Sequence, residues 1–152
     1  MTDTFIYIYF FILGVSIMLK IISYFLKWTD IDDIKIPIED LAEDVIHWCQ
    51  IMYPVRKKSP RILISNEKSK LAGEYCYFNN TIIIYRMNNV LHSFLIDTLI
   101  HEYFHYYLIT SDNKNNLYQK QLELYGYENH PQEIICRVAA AELKKEYLNS
   151  RF

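Results

Sequence analysis

The spacing of apolar and polar positions predicts three helices in the chain beyond residue 36. Apolar residues recur at helical intervals between residues 37 and 52, and again between about 89 and 109, where the pattern is apolar on nearly every face. A third helix is predicted from 131 to about 150, because a proline opens it and its body is rich in Glu, Ala, Leu and Lys. The polar stretch 111–116 predicts a break, and 117–129 is ambiguous, with some helical character.

Short runs of β-branched and aromatic residues predict three strands. RILIS, residues 61–65, forms the first run, and the runs EYCYF (74–78) and TIIIY (81–85) flank Asn79-Asn80. Asparagine tolerates positive φ, so we expect a hairpin with a two-residue turn, and we expect Gly73 to mark a bend or bulge. Strands grouped ahead of the last helices predict an α+β fold with a small antiparallel or mixed sheet.

The first 27 residues have a different character. Residues 5–26 are an apolar run interrupted by Lys20 alone, and a membrane span needs about 20 apolar residues. We therefore expect residues 1–27 to form an N-terminal hydrophobic helix, a single-pass membrane anchor, ahead of a domain from 28 to 152. Lys20 and Lys27 lie at the C-terminal end of the run, and this placement favours a cytoplasmic position for that domain. The alternative is a hydrophobic helix buried in the domain.

Composition narrows the classes of function. The formal net charge is −2, with 16 Lys and Arg against 18 Asp and Glu. The chain therefore has no excess of basic residues, and nucleic-acid binding is not expected. The three cysteines, Cys49, Cys76 and Cys136, have no CxxC spacing and predict neither a disulfide framework nor a cysteine zinc site. The chemistry must therefore come from other residue types.

Candidate chemistry is concentrated in TLIHEYFHYYL, residues 98–108. His101 and His105 are four residues apart, so on a helix they project from one face, where two imidazoles can bind one tetrahedral Zn²⁺. Glu102 lies about 100° round the helix from His101, in reach of a water whose pKa the metal has lowered, and can act as general base. Burying these groups unpaired in so apolar a helix would be costly, so we favour zinc ligation over core histidines.

A catalytic zinc site needs a third protein ligand, and two residues are candidates. The extended HExxHxxGxxH form is absent, because Leu108 and Ser111 occupy the places of its glycine and third histidine. Glu133, about one turn into the last helix, can face the motif helix; alternatively it is a first-turn acid that complements the helix dipole. His130 directly precedes Pro131, where we favour a turn or capping role. We prefer Glu133 as the ligand and keep His130 as the alternative.

The motif helix and the helix after it resemble a known group of enzymes. TLIHEYFHYYL followed by HPQEIICRVAAAEL is similar to the small gluzincin metallopeptidases, including ImmA/IrrE-type proteins, and the hairpin ahead resembles that of SprT-like minimal zincins. The resemblance spans residues 60–146 and implies a minimal zincin-like domain, whose sheet packs on the HExxH helix and a C-terminal helix. It implies Glu102 as general base and three zinc ligands: His101, His105 and Glu133. Arg137 stands where related peptidases often have Asp or Asn.

The resemblance implies a zinc-dependent endopeptidase that cleaves a protein or peptide substrate through a metal-activated water. Such folds bind an extended substrate along a sheet edge, and we expect residues 81–85 to be that edge. Asp97, one turn before His101, is a candidate for orienting a ligand histidine. An oxyanion donor is expected among four tyrosines: Tyr106, Tyr107, Tyr125 and Tyr127. Two other functions remain open, an inactive metal-binding or regulatory protein with this fold and a small helical membrane protein with core histidines.

Overall fold

The structure is a computed structural model that describes residues 31–32 and 35–151. The described residues from Ile36 onward belong to one compact unit. The apolar run 5–26, which we expect to be a membrane anchor, lies outside the described residues. Within the part of the chain that is described, no helix combines the length and the apolar character that crossing a membrane requires.

The unit is α+β, which confirms the predicted fold class. Between residues 35 and 151 it contains four helices and a mixed sheet of three strands. The helices are α1 (Ile38–Met52), α2 (His92–Leu108), α3 (Asp112–Asn129) and α4 (Pro131–Arg151), and the strands are β1 (Arg61–Ser65), β2 (Gly73–Cys76) and β3 (Thr81–Tyr85).

The helix predictions are confirmed for α1, α2 and α4, and the predicted break after α2 is present but shorter than expected, because residues 112–116 already belong to α3. The side chain of Ser111 caps α3 by accepting a hydrogen bond from the backbone N–H of Lys114 at 3.4 Å. The stretch is polar because α3 is mostly exposed; Asn115 is the one buried residue of this helix. The helical geometry of α3 is interrupted at Gly126, whose φ of 68° favours glycine.

The sheet has the strand order β1-β3-β2, so the prediction that residues 81–85 form an edge strand is wrong. β3 pairs in parallel with β1 and antiparallel with β2. The apolar sequence of β3 fits this central place, because Ile82 and Ile84 are fully buried. The two edge strands are β1 and β2, and β2 directly precedes β3 in sequence.

The predicted hairpin is confirmed, although its turn is longer than expected. β2 ends at Cys76, so the connection to β3 covers residues 77–80, and Asn80 has the positive φ, 51°. Gly73 begins β2 and pairs with Ile84 in regular register, without the bulge that the sequence suggested. A strand pair therefore leads directly to the motif helix.

α2 lies at the centre of the unit and is fixed from several sides. Leu95, Leu99 and Tyr103 are fully buried on it. The Tyr103 hydroxyl donates to the carbonyl of Tyr53, which follows α1, at 2.6 Å. At the C-terminal end of α2, the Lys57 ammonium donates to the carbonyl of Ile109 at 2.8 Å, where a cation complements the helix dipole. These two hydrogen bonds fix the C-terminal part of the motif helix.

Candidate metal centre

The structure brings together three of the residues singled out in the sequence. Nε2 of His101 lies 3.1 Å from Oε2 of Glu133, Nε2 of His105 lies 3.1 Å from Oε1 of the same carboxylate, and the two Nε2 atoms are 3.2 Å apart. One ligand atom from each residue lies within 4.8 Å of the others, and the group could hold a metal ion. The carboxylate faces both imidazoles, so either of its oxygens is available to a metal.

Two helices supply this cluster. The histidines lie one turn apart on α2, and Glu133 lies in the first turn of α4, which packs against α2. Glu133 is 1% exposed and His105 is 6% exposed, so the carboxylate and one imidazole are removed from bulk water. Burying these polar groups is tolerable because they pair with one another.

The charges of the cluster reinforce one another. Burial opposes ionisation of Glu133, but the hydrogen bonds with His101 and His105 outweigh it and hold the pKa of this carboxyl well below its ordinary value. Burial likewise opposes protonation of His101, yet the hydrogen bond with Glu133 and the charge of Glu102 leave the pKa of its imidazole raised. The cluster therefore keeps Glu133 as a carboxylate, the form in which it can bind a cation.

Tyr118 is a residue of this site that the sequence analysis missed. Its hydroxyl donates to Oε1 of Glu133 at 2.5 Å, and its ring lies edge-on to that of His105, 5.5 Å between centroids. Burial and the hydrogen bond with Glu133 raise the pKa of Tyr118, so it remains a neutral donor. The available signal was the cap motif at Ser111, which starts α3 early enough to place Tyr118 on a helix.

His130 lies beside the cluster but its imidazole has another role. Its Nδ1 accepts from the backbone N–H groups of Gln132 at 3.0 Å and Glu133 at 3.4 Å, which caps the start of α4. That arrangement requires the proton on Nε2, which donates to the carbonyl of Tyr118 at 3.0 Å. Both ring nitrogens are thus engaged, and the structure places Glu133, not His130, against the two histidines.

Glu102 stands at the edge of the same cluster with its carboxylate free. It is 6% exposed and lines the cleft, and no hydrogen bond to its carboxylate is present within residues 35–151. Burial raises the pKa of Glu102, against the opposing charges of His105 and His101. The Glu102 carboxylate thus lies beside the three candidate metal ligands, bonds neither histidine and is available to accept a proton.

The cluster opens into a cleft of about 280 Å³. One wall is the edge strand β2, and the opposite wall is α3. Asn115 on that opposite wall is 7% exposed, and its side-chain amide has no hydrogen-bond partner within the described residues. The residues that line the cleft include Gly73, Tyr75, Asn115, Tyr118 and Tyr127.

Of the four tyrosines considered from the sequence, Tyr127 is the one that lines the cleft. Tyr106 is buried and donates to the carbonyls of Lys57 and Lys58, at 3.3 Å each, and Tyr107 packs edge-on against Tyr53. Burial, followed by the charges of Glu133 and Glu102, raises the pKa of Tyr127. Tyr127 is therefore a neutral hydrogen-bond donor near both carboxylates.

Neither Asp97 nor Arg137 hydrogen-bonds a site histidine. The charge of Asp97 contributes to the raised pKa of His101, and Nδ1 of His105 is buried without a hydrogen-bond partner among the described residues. Arg137 instead bonds Glu128, to its carboxylate at 3.1 Å and to its carbonyl at 2.5 Å, and its guanidinium lies 6.0 Å from the Tyr127 ring centroid. Arg137 thus holds the segment after Gly126 that carries Tyr127.

Comparison with protein-family models, with curated protein sequences and with solved structures gave no significant match. The gluzincin resemblance therefore stays a prediction that rests on the residues themselves, from the HExxH motif to Glu133.

Proposed function

We propose that this chain is a zinc-dependent endopeptidase of minimal zincin type. The observation that carries the proposal is that Nε2 of His101 and Nε2 of His105 are 3.2 Å apart and that each lies 3.1 Å from one oxygen of the Glu133 carboxylate, beside a cleft that Glu102 also lines. Zinc bonds to nitrogen and oxygen are about 2.0–2.1 Å long, so ligand atoms in a tetrahedral site lie about 3.3 Å apart. The observed spacing is close to that value.

The donor set also fits a catalytic zinc rather than a structural one. Two histidines and one glutamate would leave a fourth tetrahedral position open, and all three residues line the cleft. When bound, zinc supplies a Lewis acid that polarises the scissile carbonyl and makes water a stronger nucleophile at neutral pH.

The remaining residues of the site have separate roles in the proposed reaction. Glu102 accepts the proton of the attacking water and delivers it to the leaving amine, acting first as general base and then as general acid. The Tyr127 hydroxyl donates to the carbonyl oxygen as negative charge develops there. Tyr118 holds the Glu133 carboxylate in place through its 2.5 Å hydrogen bond.

The cleft suits an extended peptide. β2, rather than residues 81–85, is the strand that would bind the substrate, because it is the edge strand that lines the cleft and an edge strand can pair with a substrate backbone. On the opposite wall, the unpartnered amide of Asn115 offers both a donor and an acceptor to a peptide group. A peptide bond held between these walls lies over the three ligands.

The experiment that tests the proposal uses the full-length chain, purified in detergent and loaded with zinc. We expect one zinc ion per chain, hydrolysis of denatured casein, loss of hydrolysis with 1,10-phenanthroline, and recovery when zinc is added back. A chain that binds no zinc after reconstitution, or that binds zinc and cleaves neither casein nor a peptide library, overturns the proposal. Anchoring by residues 1–27 and a cytoplasmic domain remain predictions, since that segment lies outside the described residues.

Replacing Tyr118 with phenylalanine is expected to weaken zinc binding about 10–100-fold, the usual cost of losing a partner that orients a metal ligand. The hydroxyl that fixes Oε1 of Glu133 is lost while the ring keeps its contacts with His105 and His130. Competition with a chromogenic chelator measures the change. Tyr125→Phe, a half-exposed position on the same helix, is the matched control. If Tyr118→Phe binds zinc with the same affinity as the wild type, the Tyr118 hydroxyl does not support the zinc ligand Glu133.

A further inference from the structure

Gly73 lies where the edge strand of the cleft touches the helix that carries the candidate base. A Cβ atom added to Gly73 would lie 2.7 Å from Cγ2 of Thr98, 3.1 Å from Cγ of Glu102 and 3.1 Å from the carbonyl oxygen of Ile83. Contacts below 3.0 Å do not occur for real Cβ atoms. The strand therefore packs on α2 at a distance that only a residue without a side chain allows.

The backbone conformation at this position does not require glycine. Gly126 is the described glycine with positive φ, whereas Gly73 adopts the ordinary extended conformation of a paired strand residue. Other residues could adopt the same φ and ψ. The requirement at Gly73 is steric, and the atoms that impose it belong to Thr98 and Glu102 on α2 and to the neighbouring strand.

A buried asparagine holds the strand and the helix at this distance. Asn89 is 3% exposed, and its side-chain amide donates to the carbonyls of Ala72 at 2.7 Å and Tyr85 at 2.9 Å. Its side-chain oxygen accepts from the hydroxyl of Thr98 at 2.8 Å. Asn89 therefore joins the residue before Gly73 to the residue one turn before Glu102.

We propose that Gly73 is a positioning residue that sets the distance between the substrate-binding strand and the general base. The inference rests on the proposed function and adds a determinant that the HExxH motif does not contain. A peptide paired with β2 has its backbone placed relative to Gly73, and the Glu102 side chain is placed relative to the same atom. The contact at Gly73 thus aligns the scissile bond with the proton acceptor, and the hydrogen bonds of Asn89 keep the strand and the helix from separating.

The test is a rescue experiment on the zinc-loaded, full-length chain. Gly73→Ala is expected to lower kcat on a quenched fluorescent casein peptide about 10–100-fold, because displacing a catalytic group by about 1 Å costs this much. Thr98→Ser removes Cγ2, the atom nearest to the added methyl group, and retains the hydroxyl that bonds Asn89. The double variant Gly73→Ala/Thr98→Ser is therefore expected to recover most of the lost kcat, measured against Thr98→Ser alone.

Zinc affinity separates positioning from loss of the site. The three atoms nearest to a Cβ added at Gly73 belong to no proposed metal ligand, so zinc affinity is expected to remain at the wild-type value in all three variants. Wild-type kcat in Gly73→Ala overturns the inference, and so does a double variant that regains the wild-type melting temperature without regaining kcat. A zinc-loaded wild-type chain that hydrolyses nothing overturns the proposed function itself, which is a different result from an active Gly73→Ala.

Discussion

Glu102→Gln is expected to lower kcat for peptide hydrolysis about 10²–10⁴-fold, the range that a positioned general base contributes. Glutamine has the size of glutamate but cannot take up the proton of the attacking water. Glu102 bonds neither histidine in the structure, so the variant keeps its ligands and its zinc. Initial rates with the casein peptide, together with the zinc content of the same preparation, measure the two effects separately.

Glu142→Gln is the matched control, because Glu142 is an exposed glutamate on α4 and the substitution changes the net charge equally. Its kcat and zinc content are expected to equal those of the wild type. If Glu102→Gln hydrolyses the peptide at the wild-type rate, Glu102 is not the base and the enzyme proposal fails. A chain that binds zinc and shows no Glu102-dependent hydrolysis would instead be a metal-binding or regulatory protein that retains the fold.

Glu133→Gln is expected to weaken zinc binding by at least about 100-fold, since losing a partner of a ligand already costs about 10–100-fold and Glu133 is itself the proposed ligand. The wild-type carboxylate is held ionised by two imidazoles and a tyrosine hydroxyl, whereas a neutral amide brings no charge to the cation. Zinc stoichiometry after dialysis and competition with a chelator measure the loss.

His130→Asn is the informative comparison for Glu133→Gln, because these two positions were the alternatives for the third ligand. Asparagine is a good N-cap residue, so α4 can still begin at Pro131. The variant is expected to bind one zinc ion with near wild-type affinity. If His130→Asn loses zinc and Glu133→Gln retains it, His130 is the third ligand and Glu133 is not. If the wild-type chain binds no zinc, the cluster is a hydrogen-bonded group of the core.

Local patterns predicted much of this fold and of the site. The helical spacing that defined α1, α2 and α4 is set within each segment, and so is the placement of His101 and His105 on one face of α2. The hairpin β2–β3 is also local, because a short turn brings its strands together. Glu133 could be predicted as a candidate ligand because its position in the first turn of α4 follows from Pro131.

The features that the sequence did not predict depend on distant contacts. β1 pairs in parallel with β3 rather than with β2, its neighbour in sequence, and this pairing makes β3 central and β2 the edge. No local pattern in residues 81–85 distinguishes a central strand from an edge strand. Tyr118 was missed because the helical character of residues 117–129 was ambiguous, and the close approach of Gly73 to α2 is visible only once Thr98 lies against it.

The two helices that carry the proposed ligands are joined in sequence by α3, and this connection has a thermodynamic consequence for metal binding. His101 and Glu133 are 32 residues apart, so an ion held by both acts as a cross-link that encloses the whole of α3 in a closed loop. Closing such a loop removes conformational entropy from the unfolded chain. The binding energy of such an ion would thereby become folding energy for α3, a helix with one buried residue that lines the cleft.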